Sequence, residues 1–208
     1  MNDKNNQLAQ IQARPNFGEP AWDIAQLFPN QGSWSEEEYL SLNGNRLVEF
    51  SHGVVEVLAM PTELHQAIVE FLAFALRTFV QASNLGTMRF APLRVQLWPG
   101  KFREPDVVFM KRENDARRHN EFWEGADLVM EVVSDDDRRR DLEIKRFEYA
   151  RAMISEYWIV DPQTSEITVL TLSTDRYEVH GTFKKGQQAT SKLLPGFSVE
   201  VTSTLEPK

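Results

Sequence analysis

Apolar residues recur along this chain with two periods, which predict a mixture of helices and strands. The longest helical pattern covers 62–83, where apolar residues fall every three or four positions and Thr62 stands at the N-cap. Ser35 and Glu38 form a capping-box pattern, which predicts a shorter helix through about residue 42. A second main helix is predicted from Asp141, placed to act as its N-cap, to about residue 153.

Short runs rich in branched and aromatic residues predict the strands. The run 128–133 is apolar at nearly every position, which is typical of a central strand buried on both faces. The runs 166–172 and 177–179 alternate and predict an antiparallel pair at a sheet edge. The order of elements therefore predicts an α/β fold: a mixed sheet flanked by two main helices, with an N-terminal β-hairpin and a C-terminal antiparallel extension. The other predicted strands are 46–50, 54–60, 87–91, 94–98, 106–110, 156–160 and a short one after 193–197.

Composition agrees with one compact unit. The chain has 208 residues, of which 41% are hydrophobic, so a single domain is expected over 33–208. The segment 1–32 is polar and rich in proline, which predicts a tail or a loosely docked arm. No apolar run approaches the ~18 residues of a membrane span, and the first residues lack the apolar core of a signal peptide. Without cysteine, disulfides and thiolate metal sites are excluded. We therefore expect a cytoplasmic protein with no membrane partner.

Charge argues against a simple nucleic-acid-binding surface. The formal net charge is −8, whereas phosphate contacts are normally made by clustered lysine and arginine. This lowers the expectation of tight nonspecific DNA binding by a monomer. The three arginines that follow three aspartates are interpreted first as a solvated loop, with phosphate contact as the alternative. The two basic clusters are Lys111, Arg112, Arg117 and Arg118, and Arg138, Arg139 and Arg140.

Two carboxylates lie in apolar runs of the sequence, where burying a charged group is energetically unfavourable. Asp106 opens one apolar run after Pro105, and Glu131 lies inside the run 128–133. Burying a charge is unfavourable unless a cation or a metal compensates it. Hard divalent cations prefer carboxylate oxygens together with water and phosphate oxygens. If the two strands are adjacent, both carboxylates can bind one ion.

A lysine follows on the next helix. Lys145 is four residues after Asp141 and four before Tyr149, so the three side chains share one helix face. A lysine near a metal can stabilise developing charge or position the attacking water. For Asp141 two interpretations stay open: an N-cap with Lys145 as its i,i+4 partner, or a member of the site.

These blocks resemble the Uma-type restriction endonuclease family of the PD-(D/E)XK nuclease superfamily. The resemblance covers about 35–197 and rests on the order P-D, E-V-V-S, D-x-x-x-K-x-x-x-Y and E-Y-W-I-V-D-P. It includes W-S-E-E-E-Y-L, V-E-F-S-H-G-V-V-E-V, the helix that starts Glu63-Leu64-His65, and L-L-P-G-F. It implies a restriction-endonuclease-like core.

The resemblance also implies roles for individual residues. Asp106 is the motif aspartate, and Glu131 is the acidic residue of the second half-motif. Two residues after Glu131 stands Val133 and not the usual lysine, so Lys145 supplies the lysine from the following helix. Glu49 fits the additional N-terminal acidic position. The implied cofactor is Mg²⁺, with Mn²⁺ as a substitute, the substrate is DNA, and the assembly is a homodimer.

Three functions are compatible with the sequence. The first is a metal-dependent endonuclease in which Asp106 and Glu131 bind metal and Lys145 assists the attacking water or the transition state. The second is a noncatalytic binding or assembly protein on a nuclease scaffold. The third is a metal hydrolase of small phosphodiesters. His65, near the start of its helix, is expected to be structural more often than functional.

Overall fold

A computed structural model describes residues 29–42, 47–134 and 138–207. Its helical elements are α1 (Glu36–Leu40), α2 (Glu63–Ala82), a 3₁₀ helix (Arg112–Arg117), a π-helical turn (Arg140–Ile144), α3 (Lys145–Arg151) and α4 (Val201–Leu205). The strands are β1 (Val48–Ser51), β2 (Val54–Val57), β3 (Gly86–Phe90), β4 (Arg94–Trp98), β5 (Lys101–Arg103), β6 (Val107–Lys111), β7 (Phe122–Glu124), β8 (Leu128–Val132), β9 (Glu156–Asp161), β10 (Glu166–Ser173), β11 (Arg176–Lys184), β12 (Gln188–Thr190) and β13 (Ser198–Glu200).

The strands form two mixed sheets and a short ribbon. The large sheet has the order β11-β10-β9-β8-β6-β3, and its one parallel pair is β8 with β9. The small sheet has the order β2-β1-β5-β4-β7, in which β4 and β7 are parallel. Strands β12 and β13 pair separately. The predicted α/β class with a mixed sheet and an antiparallel edge pair is confirmed, although the sequence did not predict β5, β7, β12 or α4.

The large sheet is covered on both faces, as the apolar run in β8 predicts. Along β8, Met130 packs in the cluster that contains the buried face of α2, and Val129 packs in the cluster that contains Tyr149 of α3. Side chains alternate between the two faces of a strand, so the glutamate that follows Met130 must face α3. This alternation directs Glu131 toward the helix that carries Lys145.

Local capping fixes where the first helices begin. The side chain of Thr62 accepts a hydrogen bond from the backbone N–H of His65 at 3.2 Å, which confirms it as the N-cap of α2. Ser35 and Glu38 form both hydrogen bonds of the predicted capping box of α1. That box contributes about 1 kcal/mol to the helix start. In α2, the N-cap at Thr62 places His65 in the first turn of the helix.

The predicted N-cap role of Asp141 is wrong. The backbone is already helical at Arg138 and Arg139, and the π-helical turn begins at Arg140. An N-cap residue has non-helical backbone angles. Asp141 is therefore inside the helical segment, where its carboxylate points to the side chain of Lys145 and not back to the helix start.

The end of the predicted arm contacts the β1–β2 hairpin. The side chain of Gln31 exchanges two hydrogen bonds of 2.9 Å with the backbone of Val55, and the N–H of Gly32 donates to the carbonyl oxygen of Gly53 at 2.7 Å. The turn glycine has φ of 84°, and a Cβ there would lie 2.6 Å from that neighbouring backbone. The rest of the arm, 1–28, and the predicted helix end at 43–45 lie outside the described residues. None of the described helices is both long and apolar enough to span a membrane.

Candidate functional site

A cleft of about 360 Å³ lies where the start of α2, the end of β8 and the π-helical turn meet. Part of the cleft lining is apolar and is formed by the connection 57–61 and by Leu64. Another part of the lining is strongly ionic. Its charged and titratable residues are His65, Glu104, Asp106, Glu131, Arg140, Asp141 and Lys145.

The structure brings together the two predicted metal-binding carboxylates. Strands β6 and β8 are antiparallel neighbours with Val107 opposite Met130, so the next pair in the same register is Asp106 and Glu131. Side chains that are directly opposite in an antiparallel pair lie on the same face. Both residues are buried, at 8% and 2% exposure. Oδ2 of Asp106 accepts the backbone N–H of Val132 at 2.8 Å, which ties one carboxylate to the other strand.

Lys145 lies in the same site. Its Nζ is 2.9 Å from Oε2 of Glu131 and 2.9 Å from Oδ1 of Asp141. The hydroxyl of Tyr149 donates to Oε1 of Glu131 in a short hydrogen bond. The helix face predicted from the four-residue spacing is therefore the face that meets Glu131, and both oxygens of Glu131 have a donor from α3.

Burial and like charges shift the pKa of Glu131. Burial, together with the carboxylates of Asp106 and Asp141, raises the pKa of Glu131 to about 8, and the nearby Lys145 only partly offsets these effects. For Lys145 burial lowers the pKa, but Glu131 and Asp141 outweigh it and raise the pKa above its usual value. The site thus combines a cationic lysine with more negative charge than that lysine compensates.

His65, in the first turn of α2, also contacts Asp106. Its Nε2 lies 3.3 Å from Oδ2 of Asp106. Burial lowers the pKa of His65, but the hydrogen bond to Asp106 and the charge of that carboxylate raise it further, so the net shift is upward. Its Nδ1 is buried and has no hydrogen-bond partner among the described residues. The structure thus places His65 beside Asp106 in the cleft, and its expected structural role stays a prediction. The signal in the sequence was its place in the first turn of α2.

Glu49 is not in contact with the acidic pair. Its carboxylate binds the guanidinium groups of Arg103 and Arg140 in short hydrogen bonds and accepts the backbone N–H of Glu104 at 3.3 Å. Burial raises the pKa of Glu49, but Arg103, followed by the charges of Lys145 and Arg140, lowers it to about 2. The catalytic role of Glu49 stays a prediction. Its described side-chain contacts are with Arg103 and Arg140 and not with Asp106 or Glu131.

A buried ionic network continues away from the cleft. Arg103 donates from Nε and Nη2 to Glu148 at 2.7 and 3.0 Å, and Nζ of Lys101 lies 2.7 Å from the same carboxylate. These contacts join β5 of the small sheet to α3, which packs on the large sheet. The network therefore links the two sheets next to the cleft.

The two predicted basic clusters have different surroundings. Arg138 binds Asp161 with two hydrogen bonds, Arg139 forms an exposed ion pair with Glu143, and Arg140 lines the cleft. The sequence treated the three as one loop, and only the helical geometry distinguishes them. Within the described part of the chain, the cluster Lys111, Arg112, Arg117 and Arg118 contributes no residue to the cleft.

The residues present fit a divalent cation of the Mg²⁺ type. Oδ1 of Asp106 receives no hydrogen bond from any described residue, and Glu131 is a second buried carboxylate directly across the strand pair. Over residues 29–42, 47–134 and 138–207, no three His, Asp or Glu side chains form a ready metal-ligand group. Two carboxylates completed by water and substrate phosphate are nevertheless the set that Mg²⁺ commonly takes.

Comparison with known proteins identifies a family. The model of the Uma2 family, described as putative restriction endonuclease, matches residues 36–202. A crystal structure of a putative nuclease belonging to DUF820 from Anabaena variabilis ATCC 29413 has the same fold, with a TM-score of 0.69 at 15% identity over 83% of this chain and 98% of that chain. A comparison with functionally curated proteins finds no match. Because the family match spans most of its length and the fold agrees, this chain belongs to the Uma2 family.

Proposed function

We propose that this protein is a divalent-metal-dependent endonuclease that hydrolyses phosphodiester bonds of DNA. The observation that carries the proposal is the buried pair Asp106 and Glu131 on adjacent strands, with Lys145 at 2.9 Å from the glutamate. The Uma2 match and the nuclease fold support the same chemical class.

Asp106 and Glu131 are the proposed ligands of Mg²⁺ or Mn²⁺. Such an ion, when bound, lowers the pKa of a water and offsets charge on a phosphoryl oxygen. The chain's own task is to hold the two carboxylates in place. The backbone N–H of Val132 and the ring of His65 hold Asp106, and the hydroxyl of Tyr149 holds Glu131.

Lys145 is the proposed cationic group of the reaction. Its ammonium is buried beside the pair and is also retained by Asp141 at 2.9 Å. A preorganised cation in a water-poor site stabilises negative charge more strongly than the same cation in water. Lys145 therefore stabilises the charge that develops on the phosphoryl group or orients the attacking water.

The proposed assembly is a homodimer. Cleavage of both strands of a duplex needs two such centres, and each chain supplies one. Sedimentation velocity with and without a DNA duplex would test this part of the proposal. A monomer that only nicks a supercoiled plasmid would contradict it without affecting the assignment of the site.

A noncatalytic scaffold is the second candidate, and one observation favours it. Lys145 already neutralises part of the charge on Glu131 and Asp141, so the centre has a cation without metal. This candidate expects no binding of Mn²⁺ by calorimetry, and a melting temperature that does not rise with Mn²⁺ beyond that of Asp106→Ala.

Plasmid cleavage tests the proposed function. The parent protein should nick or linearise plasmid with Mg²⁺ or Mn²⁺, and EDTA should abolish this activity. Asp106→Asn and Glu131→Gln should each lose nearly all cleavage. A matched control is Asp127→Asn, since Asp127 is also a buried carboxylate but binds the backbone N–H of Lys111 and the amide of Asn114 outside the cleft. Equal cleavage by the parent and both site variants would refute the assignment.

A further inference from the structure

We propose that Arg140 binds a backbone phosphate of the nucleic-acid substrate, and that Glu49 and Glu56 hold its guanidinium in the cleft before the substrate arrives. This inference rests on the proposed function and deepens it, because it assigns a substrate-binding residue to the same cleft. It begins from the different surroundings of three consecutive arginines.

Arg140 is the arginine of the three that lines the cleft. Arg138 forms a bidentate pair with Asp161, with donor–acceptor distances of 3.0 and 2.5 Å. The side chain of Arg139 is 75% exposed and pairs with Glu143, which is 69% exposed. Arg140 instead reaches across to the β1–β2 hairpin, where it binds Glu49 and Glu56. These contacts distinguish Arg140 from its two neighbours.

The helical geometry supports this placement. Arg140 is the first residue of the π-helical turn, and both Arg140 and the adjacent Asp141 line the cleft. Single π-turns inside helices are rare and are found frequently at functional sites. Here the turn stands directly before Lys145, so the same irregular segment carries the guanidinium and the proposed catalytic ammonium.

Among the described cations of the cleft, Arg140 is the one with a replaceable partner. Lys145 is 7% exposed and lies between two carboxylates, and His65 is bound to Asp106. Arg140 is 19% exposed, and its partner Glu56 is 43% exposed at 2.6 Å. Because Glu56 is partly open to solvent, this ion pair contributes less to stability than the pair with the buried Glu49. A substrate phosphate can therefore take the place of Glu56 at small cost, in the fork geometry that guanidinium groups offer to phosphate.

Glu49 explains why the guanidinium stays in place during this exchange. Its side chain is 1% exposed and binds Arg103 as well as Arg140. A buried carboxylate with two arginines remains ionised and cannot leave for solvent. Glu49 thus acts as a positioning residue for Arg140, through the same Nη2 that also binds Glu56.

Equilibrium binding of DNA tests the inference separately from cleavage. The probe is a short fluorescein-labelled duplex, and its anisotropy is followed in Ca²⁺ over a series of salt concentrations. Arg140→Ala should weaken binding by about tenfold, as expected for the loss of a charge-assisted hydrogen bond. It should also reduce the slope of log affinity against log salt by about 1, the value for one lost phosphate contact. Arg139→Ala is the matched neighbour and should change neither quantity.

Glu56→Gln is expected to increase the affinity for DNA, and a folding defect could not produce such an increase. Removing the competing carboxylate should tighten binding by about two- to fivefold, the range of an exposed ion pair. Arg140→Ala in the same chain should abolish this gain. Equal effects of Arg139→Ala and Arg140→Ala, or no gain from Glu56→Gln, would overturn the inference. If the parent cleaves DNA but Arg140→Ala keeps its affinity and salt slope, only this inference fails; a parent that neither binds nor cleaves DNA defeats the proposed function as well.

Discussion

Nζ of Lys145 lies 2.9 Å from Oε2 of Glu131, although one residue begins a helix and the other lies inside the central strand of the large sheet. Two residues after Glu131, on the same face of the strand, stands Val133, which is buried in the apolar cluster under α3. The ammonium next to Glu131 therefore comes from α3, and the strand position of Val133 contributes to apolar packing.

Replacing this lysine should separate its chemical role from its packing role. Lys145→Met is expected to lower single-turnover cleavage by about 10²- to 10³-fold, the range for a lost transition-state contact. It also leaves Glu131 and Asp141 buried without their shared cation. We therefore expect a lower melting temperature without metal and a larger rise on adding Mn²⁺ than in the parent, because a metal would replace the missing positive charge.

Lys101→Met is the matched control. Lys101 is also a buried lysine, at 4% exposure, but its ion pair is with Glu148 in the network outside the cleft. It should lower the melting temperature while leaving the rise caused by Mn²⁺ as in the parent. If both variants respond to Mn²⁺ alike, Lys145 has no special relation to the acidic pair.

The hydroxyl of Tyr149 should matter for the site as well as for stability. Tyr149→Phe removes the donor to Oε1 of Glu131, and a lost hydrogen bond costs about 0.5–1.5 kcal/mol. We expect a lower urea midpoint together with about tenfold weaker Mn²⁺ binding by calorimetry, since partners that orient a ligand affect metal affinity. Tyr177→Phe removes a comparable buried hydrogen bond, from the hydroxyl of Tyr177 to the carbonyl of Ile154, away from the cleft. It should lower stability only, and a matching loss of Mn²⁺ affinity would contradict the assigned role of Tyr149.

The sequence predicted the fold class and the acidic pair because both depend on local pattern. Apolar runs identified the strands, and a carboxylate inside such a run was visible as an energetic anomaly. The four-residue spacing correctly placed Asp141, Lys145 and Tyr149 on one face. It left open whether Asp141 caps the helix or belongs to the site, because an aspartate near a helix start suits both roles and the pattern did not predict the helical backbone at Arg138.

Contacts between segments that are far apart in the chain could not be predicted from the sequence pattern. The contact of His65 with Asp106 joins α2 to the entry of β6, and nothing in the first turn of a helix specifies its partner. The pairing of Glu49 with Arg103 and Arg140 depends on β5, a three-residue strand that no periodicity can predict. Three adjacent arginines have different partners because the helical backbone from Arg138 onward points their side chains in different directions.

His65 is expected to affect metal binding by holding the carboxylate of Asp106 in place. His65→Ala removes the ring that lies 3.3 Å from Oδ2 of Asp106, which leaves that oxygen with the backbone N–H of Val132. We expect Mn²⁺ affinity to fall by about tenfold, the lower end of the range for partners that orient metal ligands. Isothermal titration calorimetry measures this directly. Gln66→Ala is the control, because Gln66 follows on the exposed side of α2; equal affinities in the parent and His65→Ala would remove His65 from the site.

The ionic network around Glu49 should make the free energy of unfolding depend on pH in the acidic range. The pKa of Glu49 is lowered from 4.5 to about 2: burial alone would raise it, but Arg103, Lys145 and Arg140 outweigh burial. A lowered pKa in the folded state contributes stability above the ordinary value and loses it as pH falls through the folded value. The free energy of unfolding should therefore drop by about 3 kcal/mol from this group between pH 4.5 and 2. Glu148, whose pKa is also lowered, mainly by hydrogen bonding and charge from Arg103 against the effect of burial, adds to the same direction.

Glu49→Gln isolates this contribution from that of the other carboxylates. The glutamine has nearly the same shape but no charge, so Arg103 and Arg140 lose their shared buried anion at every pH. We expect the variant to be less stable than the parent at neutral pH and to approach the stability of the parent as the pH falls to about 2, where Glu49 itself becomes protonated. Urea unfolding at a series of pH values measures both curves. Parallel curves, with a constant gap down to the lowest pH, would show that Glu49 is not held as a carboxylate by the two arginines.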